Sequence, residues 1–391
     1  MKKSVIEYTL DRCTTCLACL KACPLDAISL VNNRVVINDL LCINCGKCID
    51  ACNNQGLQTI KTNLELDKDI INVALLPSSL ILRMSNMDEV EDLFNAIKLL
   101  GFDEIIDLSP YEALVFKESS LIANYNDEIT ISSFCPMVNK LIEVKYPSLL
   151  DNLAPIKYPS EIAAKQVKKK YGSKKVLVYN FCECNAKLSL AKFPFGNNYY
   201  VDYSLAIAQM LPIFKNNYGK GRLQVNLSSK GLQAINPQTY QVSEACLSAD
   251  SFDKVMDILE LAEFDVIKDY QILRLFPCYN GCLGGDLLWE NSYNNLGNIK
   301  NILQKNQESL ELSLTFDDIY SNYEKEVCGK IDIKEKIKKF GEINKIYEKL
   351  PHLDCGACGY PSCRKMAEEI CNGNCEIKDC KILDRGYKNV N

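Results

Sequence analysis

Cys13, Cys16, Cys19 and Cys23 are separated by two, two and three residues, and Cys42, Cys45, Cys48 and Cys52 repeat that spacing. A 4Fe–4S cube offers four iron corners a few ångströms apart. A tight loop with a thiol at every third residue wraps three corners and does not reach the fourth, which a more distant cysteine must supply. The duplicated spacing therefore predicts two iron–sulfur clusters, with a pair of zinc knuckles as the alternative. A third group closes the chain: Cys355, Cys358 and Cys363, then Cys371, Cys375 and Cys380. Gly356 and Gly359 let the backbone fold closely around a metal group there, and zinc is again the alternative. His352 is a further candidate ligand, read as a surface residue beside that group. In the middle of the chain stand Cys135, then Cys182 and Cys184, then Cys278 and Cys282.

Twenty-one cysteines against one histidine leave little room for zinc or non-haem iron sites built on imidazole. No signal peptide is read ahead of Cys13 and no apolar run approaches the length of a membrane span, the best being Leu205–Phe214 with Gln209 and Pro212 inside it. The expectation is a reducing cytoplasm, where clustered thiols are metal ligands before they are disulfides. The net charge of −5, with no basic patch interleaved with aromatics, argues against nucleic acid. Richness in Asn, Lys and Ile fits an anaerobe.

The elements that must position these thiols follow from periodicity. Ala27–Leu30 and Arg34–Ile37 are strands joined by an Asn32-Asn33 turn. Ile70–Leu76 is a buried strand, Met87–Leu100 a helix closed by Gly101. Ile105–Leu108, Ile129–Ser132, Lys175–Tyr179 and Gln271–Phe276 are further strands, and Phe252–Glu263 a helix. Such alternation predicts α/β architecture, with helices on both faces of a mostly parallel sheet. Ligands bind at strand C-terminal ends in these folds, and the central cysteines all fall at such ends. The alternative is that they are buried structural thiols, the default reading for Cys246 and Cys328. Residues 321–349 have the period of a connecting helix pair, and Arg364–Ile370 is amphipathic.

Residues 5–61 resemble the bacterial dicluster ferredoxins, in which the last cysteine of each run serves the other cluster. That pattern assigns Cys13, Cys16, Cys19 and Cys52 to one cluster and Cys42, Cys45, Cys48 and Cys23 to the second. Asn53 replaces the usual proline after the second run and removes no ligand. The C-terminal stretch resembles a small four-cysteine domain found in Rnf-type electron-transport complexes. It implies Cys355, Cys358, Cys363 and Cys380 as ligands, with Cys371 and Cys375 as rivals for the fourth place. In the middle, Ser133-Phe-Cys135-Pro136, Glu183-Cys184-Asn-Ala-Lys187 and Pro277-Cys278-Tyr-Asn-Gly-Cys282-Leu-Gly-Gly285 are similar to the three signatures of FeFe hydrogenases, in order. Lys145–Leu153 and Ser160–Ala164 match the helix-rich stretch after the first. The resemblance is closest to sensory or low-activity branches with an N-terminal dicluster domain and a C-terminal four-cysteine domain.

The resemblance implies an α/β catalytic domain with two lobes around an H-cluster (66–320), an N-terminal α+β ferredoxin domain (1–65), a helical linker (321–349) and a small helical iron–sulfur domain (350–391). Three 4Fe–4S clusters would accompany the H-cluster, itself a cubane plus a di-iron unit carrying CO, cyanide and an azadithiolate. Cys135, Cys184, Cys278 and Cys282 would hold the cubane, Cys282 bridging to the di-iron unit. Lys187 would hydrogen-bond a cyanide, and Gly281, Gly284 and Gly285 would let the backbone approach the cluster. Implied partners are H2 and protons, a soluble electron carrier such as ferredoxin, and maturation proteins. There are departures. Phe134 stands where fast members carry a proton-relaying cysteine, Leu190 where a glutamate is usual, and Arg274 and Phe276 where glutamate and methionine open the third signature. Cys182 and Glu183 replace a methionine and a proline and offer a different proton route. The expectation is a slow or regulatory hydrogenase. The alternative is a hydrogenase-like electron carrier or iron–sulfur assembly protein without the di-iron unit.

Overall fold

Short β-branched runs make the first elements: β1 (Ile6–Tyr8), β2 (Ile28–Val31), β3 (Arg34–Ile37) and β4 (Leu57–Thr59). β2 and β3 pair antiparallel because Asn32 and Asn33 take φ of 50° and 59°, the left-handed backbone of a tight hairpin. β1 pairs antiparallel with β4, so the two ends of the module close the fold. The short helices Ala18–Ala22 and Lys47–Asp50 are each entered through a left-handed residue, Leu17 and Gly46. The computed structural model describes residues 4–191, 200–289, 291–303, 312–321 and 333–384. Cys328 and residues 322–332 of the expected linker helices lie outside them. The chain divides into two units, 1–60 together with 326–391, and 61–325.

In the first unit the helices Ile333–Tyr347 and Cys363–Cys371 pack against each other around Leu350, Met366 and Ala367. Ser362 caps the second of these, its Oγ accepting from the Lys365 N–H at 3.0 Å. His352 is exposed, stacked on Tyr347 with 4.2 Å between ring centroids.

The second unit is α/β. Its strands are β5 (Ile71–Leu76), β6 (Glu104–Asp107), β7 (Thr130–Ile131), β8 (Val176–Cys182), β9 (Tyr203–Ala206), β10 (Cys246–Asp250) and β11 (Ile272–Phe276). They form two parallel sheets, ordered β6-β5-β8-β9 and β10-β11-β7, where strand periodicity alone anticipates one. β5 lies inside its sheet and, from Val73 to Leu76, reads as a continuous apolar run, as a strand covered on both faces must. The helices Met87–Lys98, Ser109–Ala123, Pro136–Lys145, Pro159–Tyr171 and Phe252–Glu263 pack around these sheets. Asn86 caps the first of them, accepting from the Glu89 N–H. Leu205–Phe214 is split between the end of β9 and the helix Ile207–Lys215, which contains Pro212. Among the described residues no helix is long and apolar enough to cross a membrane.

Candidate metal centres

The ferredoxin-like module holds two separate thiol-lined cavities. Cys13, Cys16, Cys19 and Cys52 line one, with Tyr8, Leu17, Leu20, Leu30 and Leu57. Cys23, Cys42, Cys45 and Cys48 line the other, with Ile6, Ile28 and Ile43. The interleaving follows from the backbone: each short helix carries a run's third thiol inward and delivers the fourth to the neighbouring cavity. Burial pushes the Cys19 thiol up to about 11 and Cys45 to about 12. A dry pocket of thiols resists ionisation unless a metal group neutralises it, so loading releases protons. Among the described residues no three His, Cys, Asp or Glu side chains stand close enough to share one metal ion; the thiols surround cavities instead.

In the C-terminal segment Cys358 lies within electrostatic reach of Cys380 and Cys355, and Cys363 and Cys380 are buried in the same small core. Cys371 faces Glu342, with Sγ 3.9 Å from the carboxylate. Cys375 faces Tyr360 and the Met366 carbonyl. Of the three candidates for the fourth place, Cys380 is the one the fold turns toward Cys358.

The central thiols sit on loops after the ends of three parallel strands: Cys135 follows β7, Cys184 follows β8 and Cys278 follows β11. Hydrogen bonds tie the loops together. Asn139 Nδ2 donates to Ser133 O at 2.8 Å behind Cys135. Asn185 N donates to Asp286 at 3.0 Å, and Leu287 N to Glu183 O at 2.9 Å, joining the second signature to the third. The glycines belong to this joinery. A Cβ at Gly285 would collide with Glu183 O, and one at Gly281 with Ile235 O, which accepts from the Cys282 N–H at 3.1 Å. Their freedom thus serves backbone-on-backbone packing, a reason different from the direct approach to a cluster that the signature suggests. Cys282 comes within electrostatic reach of Lys187 and Cys135, and Cys184 within that of Cys278.

Beside these thiols lies a small pocket, lined by Pro77, Glu112, Tyr158, Glu183, Lys187 and Leu190 among others. Lys187 Nζ is 2.5 Å from Glu183, 3.9 Å from Glu112 and 4.9 Å above the Phe134 ring. Burial opposes its charge, yet Glu183, Cys282 and Glu112 hold the ammonium pKa well above its ordinary value. Glu112 is fully buried; burial raises its carboxyl to about 7 against the pull of Lys187. Ser78 donates to it through both Oγ and N. Neither Glu112 nor Ser78 is legible in the cysteine signatures; the signal available is an acid inside the apolar run of Ser109–Ala123.

Phe134 is buried, its ring 4.4 Å from Phe116. Arg274 is wholly buried as well, donating to the carbonyls of Tyr240 and Ala234 and lying 4.3 Å over Phe116, so it pins the 234–240 loop. Cys182 is the last residue of β8, not one beyond it; it is enclosed with Asn180 and Ser204 and does not line the cavity. Cys246 sits in β10 within electrostatic reach of Arg274.

Thiols grouped in fours on ferredoxin-like and α/β scaffolds define an iron–sulfur redox protein. Comparison with known proteins narrows that class. Residues 78–224 match the family described as "Iron only hydrogenase large subunit, C-terminal domain", residues 5–53 a "4Fe-4S dicluster domain", and residues 350–382 a domain described as "Putative Fe-S cluster". These matches support a protein of the iron-only, or FeFe, hydrogenase family, the hydrogenase match lying within residues 78–224. The first match takes in Cys135 and Cys184 and ends before Cys278 and Cys282. A component of the ion-translocating oxidoreductase complex of Haemophilus influenzae is 44% identical over 54 residues, 14% of this chain and 28% of that protein. A component of the NADH-quinone oxidoreductase of Aquifex aeolicus is 39% identical over 59 residues, 12% of this chain and 28% of that protein. The chain thus spans little more than a quarter of the length of these curated relatives. A variant of FeFe hydrogenase HydA1 from Chlamydomonas reinhardtii has a similar structure at 12% identity, covering 62% of this chain and 86% of that one, with a TM-score of 0.48. An FeFe hydrogenase studied for oxygen inactivation of its H cluster gives 13% identity, 63% and 88% coverage, and a TM-score of 0.47.

Proposed function

We propose that the chain is an FeFe-type hydrogenase of slow or regulatory character. It would interconvert H2 with protons and electrons at an H-cluster held by Cys135, Cys184, Cys278 and Cys282, with Cys282 the bridge to the di-iron unit. The observation that carries this reading is the largely buried cation of Lys187 on the wall of a small pocket, beside thiols from all three signatures. A dry cavity with a fixed ammonium suits a small anionic ligand such as cyanide. When bound, the group supplies the metal centre at which hydrogen is split.

The chain's residues do the remaining work. Lys187 donates to the anionic ligand, while Phe134 and Leu190 keep water out. Phe134 carries no proton. Glu112 takes that role in this reading: its carboxyl is buried at the cavity wall with a pKa near neutral, the condition for giving and taking a proton at ambient pH. Glu183 braces Lys187. Three 4Fe–4S clusters at the ends of the chain would pass electrons to a soluble carrier such as ferredoxin, and maturation proteins in the cytoplasm would deliver the di-iron unit. The catalytic domain in this proposal is 66–320, the others being 1–65, 321–349 and 350–391.

A second reading has its own support. Lys187 already faces two carboxylates, Glu183 and Glu112, and so is neutralised without cyanide. That favours a hydrogenase-like electron carrier or assembly protein that keeps the cubane and lacks the di-iron unit. Infrared spectroscopy on protein co-expressed with the maturation machinery separates the two. Bands of iron-bound CO and cyanide, lost in Cys282→Ala, are expected; their absence from the fully loaded wild type would leave the second reading standing.

A further inference from the structure

The C-terminal cysteine loop and the ferredoxin-like module belong to one unit, and the loop rests on the wall of one cluster cavity in particular. Leu17 and Leu30 both line the cavity of Cys13, Cys16, Cys19 and Cys52, and neither lines that of Cys23, Cys42, Cys45 and Cys48. The Leu30 N–H donates to Gly359 O at 2.7 Å. The Leu30 carbonyl in turn takes the space where a Cβ of Gly359 would lie, and Gly359 has a φ of +91° that disfavours any side chain. Leu17 Cδ1 lies 3.4 Å from the Cβ position of Gly356. Lys21, two residues past Cys19, donates to Asp354 O and, at 2.7 Å, to Pro361 O. One cation of the first module thereby holds both sides of the loop that carries Cys355 and Cys358. The helix that follows faces Asp26 through Lys365, so docking continues past Cys23. The loop itself sits on Leu17 and Leu30.

We propose that the C-terminal cluster site and the Cys13–Cys16–Cys19–Cys52 site are a built-in electron-exchange pair, separated by the Leu17 and Leu30 side chains and held in register by Lys21 and Gly359. This rests on both sites holding 4Fe–4S clusters, as the proposed function has it. The exchange is of one electron, lost by the reduced cluster and gained by its oxidised neighbour, with no bond made and no proton moved. Backbone contacts fix the separation, so the pair keeps one geometry through turnover. Seated on the first site's wall, the C-terminal module exchanges electrons with that site and is not an independent carrier. An external carrier meeting the C-terminal loop therefore has its electron passed to the first site.

The test is electron paramagnetic resonance on the full chain, reconstituted with iron and sulfide and reduced with dithionite. Two reduced clusters separated by one layer of side chains split and broaden each other's signals. In Cys45→Ala, which takes out the second ferredoxin site, an interacting pair is expected beside the signal of the central cubane, and adding Cys380→Ala should leave only unsplit signals. Lys21→Met and Gly359→Val touch no ligand and should weaken or abolish the splitting at unchanged iron content. A Cys45→Ala spectrum with no interacting pair would overturn the proposal. So would a C-terminal signal that splits as strongly in Cys16→Ala as in Cys45→Ala, for the C-terminal site would then couple to both ferredoxin sites alike. Iron and zinc analysis tells these outcomes from failure of the cluster assignment, which zinc in the C-terminal site would signal and which would take the pairing down with it.

Discussion

Lys187 and Phe134 set the chemistry available in the central cavity. A phenyl ring under an ammonium is a favourable contact, stronger when both are dry, but it ends any relay through that position. Of the protonatable groups left facing the cavity, apart from the Lys187–Glu183 pair, burial holds Tyr158 well above its ordinary value, and Glu112 is the one raised to near neutral. The charges that bear on it are Lys187, Glu183 and Asp107, and the Ser78 hydroxyl donates to it. Because its carboxyl is raised to about 7, it is protonated below that pH and can deliver a proton; above it, the carboxylate accepts one. Hydrogen evolution should therefore fall as pH climbs through about 7, and hydrogen oxidation should rise over the same range. Glu112→Gln should lower turnover by about 10²-fold or more and remove that limb of the pH profile, while CO and cyanide bands stay in place. Glu112→Asp should keep part of the activity. Phe134→Cys is the companion measurement: a thiol restores a titratable group, yet a cavity opens beside Phe116 at a cost of about 3 kcal/mol, and Leu190 still interrupts the path beyond. Turnover unchanged in Glu112→Gln at equal cluster loading would assign the proton to another group.

Secondary elements differ in how plainly their sequences announce them, and the reasons are physical. β5 and the helix Phe252–Glu263 are legible because burial imposes a pattern: one an apolar run from Val73 to Leu76, the other an apolar stripe at helical spacing. β10, Cys-Leu-Ser-Ala-Asp, has little strand character of its own and forms because β11 offers it a parallel partner from Ile272 to Phe276. The helix Ser109–Ala123 escapes the periodicity for a related reason. It buries Ser109, Glu112 and Ser119 beside Val115 and Phe116, so no clean polar face marks it. Ligand thiols must crowd onto short loops and so leave a spacing to read, whereas Glu112 and Ser78 reach the same cavity from separate elements. The helix Ser109–Ala123 also depends on a glycine. A Cβ on Gly231 would collide with the Ser109 carbonyl, so the helix Ser229–Ala234 can cross it only where a side chain is missing. Gly231→Ala has no flexible neighbour to push aside and should cost about 3 kcal/mol, the scale of core overpacking, against Gly297→Ala, which meets open space. Thermal unfolding of the two variants reads the difference; equal midpoints would mean the helices slide apart at little cost.

At the scale of the chain, the two ends carry the accessory thiols and share one unit, while residues 61–325 make the other. An arrangement of this kind ties metal content to particular cysteines, because each site draws on a fixed set of four. Under the proposed function, full loading would call for about 18 iron atoms, three 4Fe–4S clusters and a six-iron H-cluster, and would use 16 of the 21 cysteines. The contested place is the fourth C-terminal ligand, and there the fold and the spacing give separate arguments. Counting along the chain leaves Cys371, Cys375 and Cys380 all within reach of a short loop. Packing separates them: Cys371 is the last residue of a helix with its thiol toward Glu342, Cys375 is taken up by Tyr360, and Cys380 is buried beside Cys358. Moving either rival into the site would require unwinding the end of the helix Cys363–Cys371 or breaking the contact with Tyr360. Cys380→Ala should therefore lose about four irons and one cluster signal, while Cys371→Ala and Cys375→Ala keep the full complement, all three read by iron analysis and paramagnetic resonance on reduced protein. Loss of a cluster in Cys375→Ala alone would show that the loop rearranges around its metal and that the thiol now facing Tyr360 is the true fourth ligand.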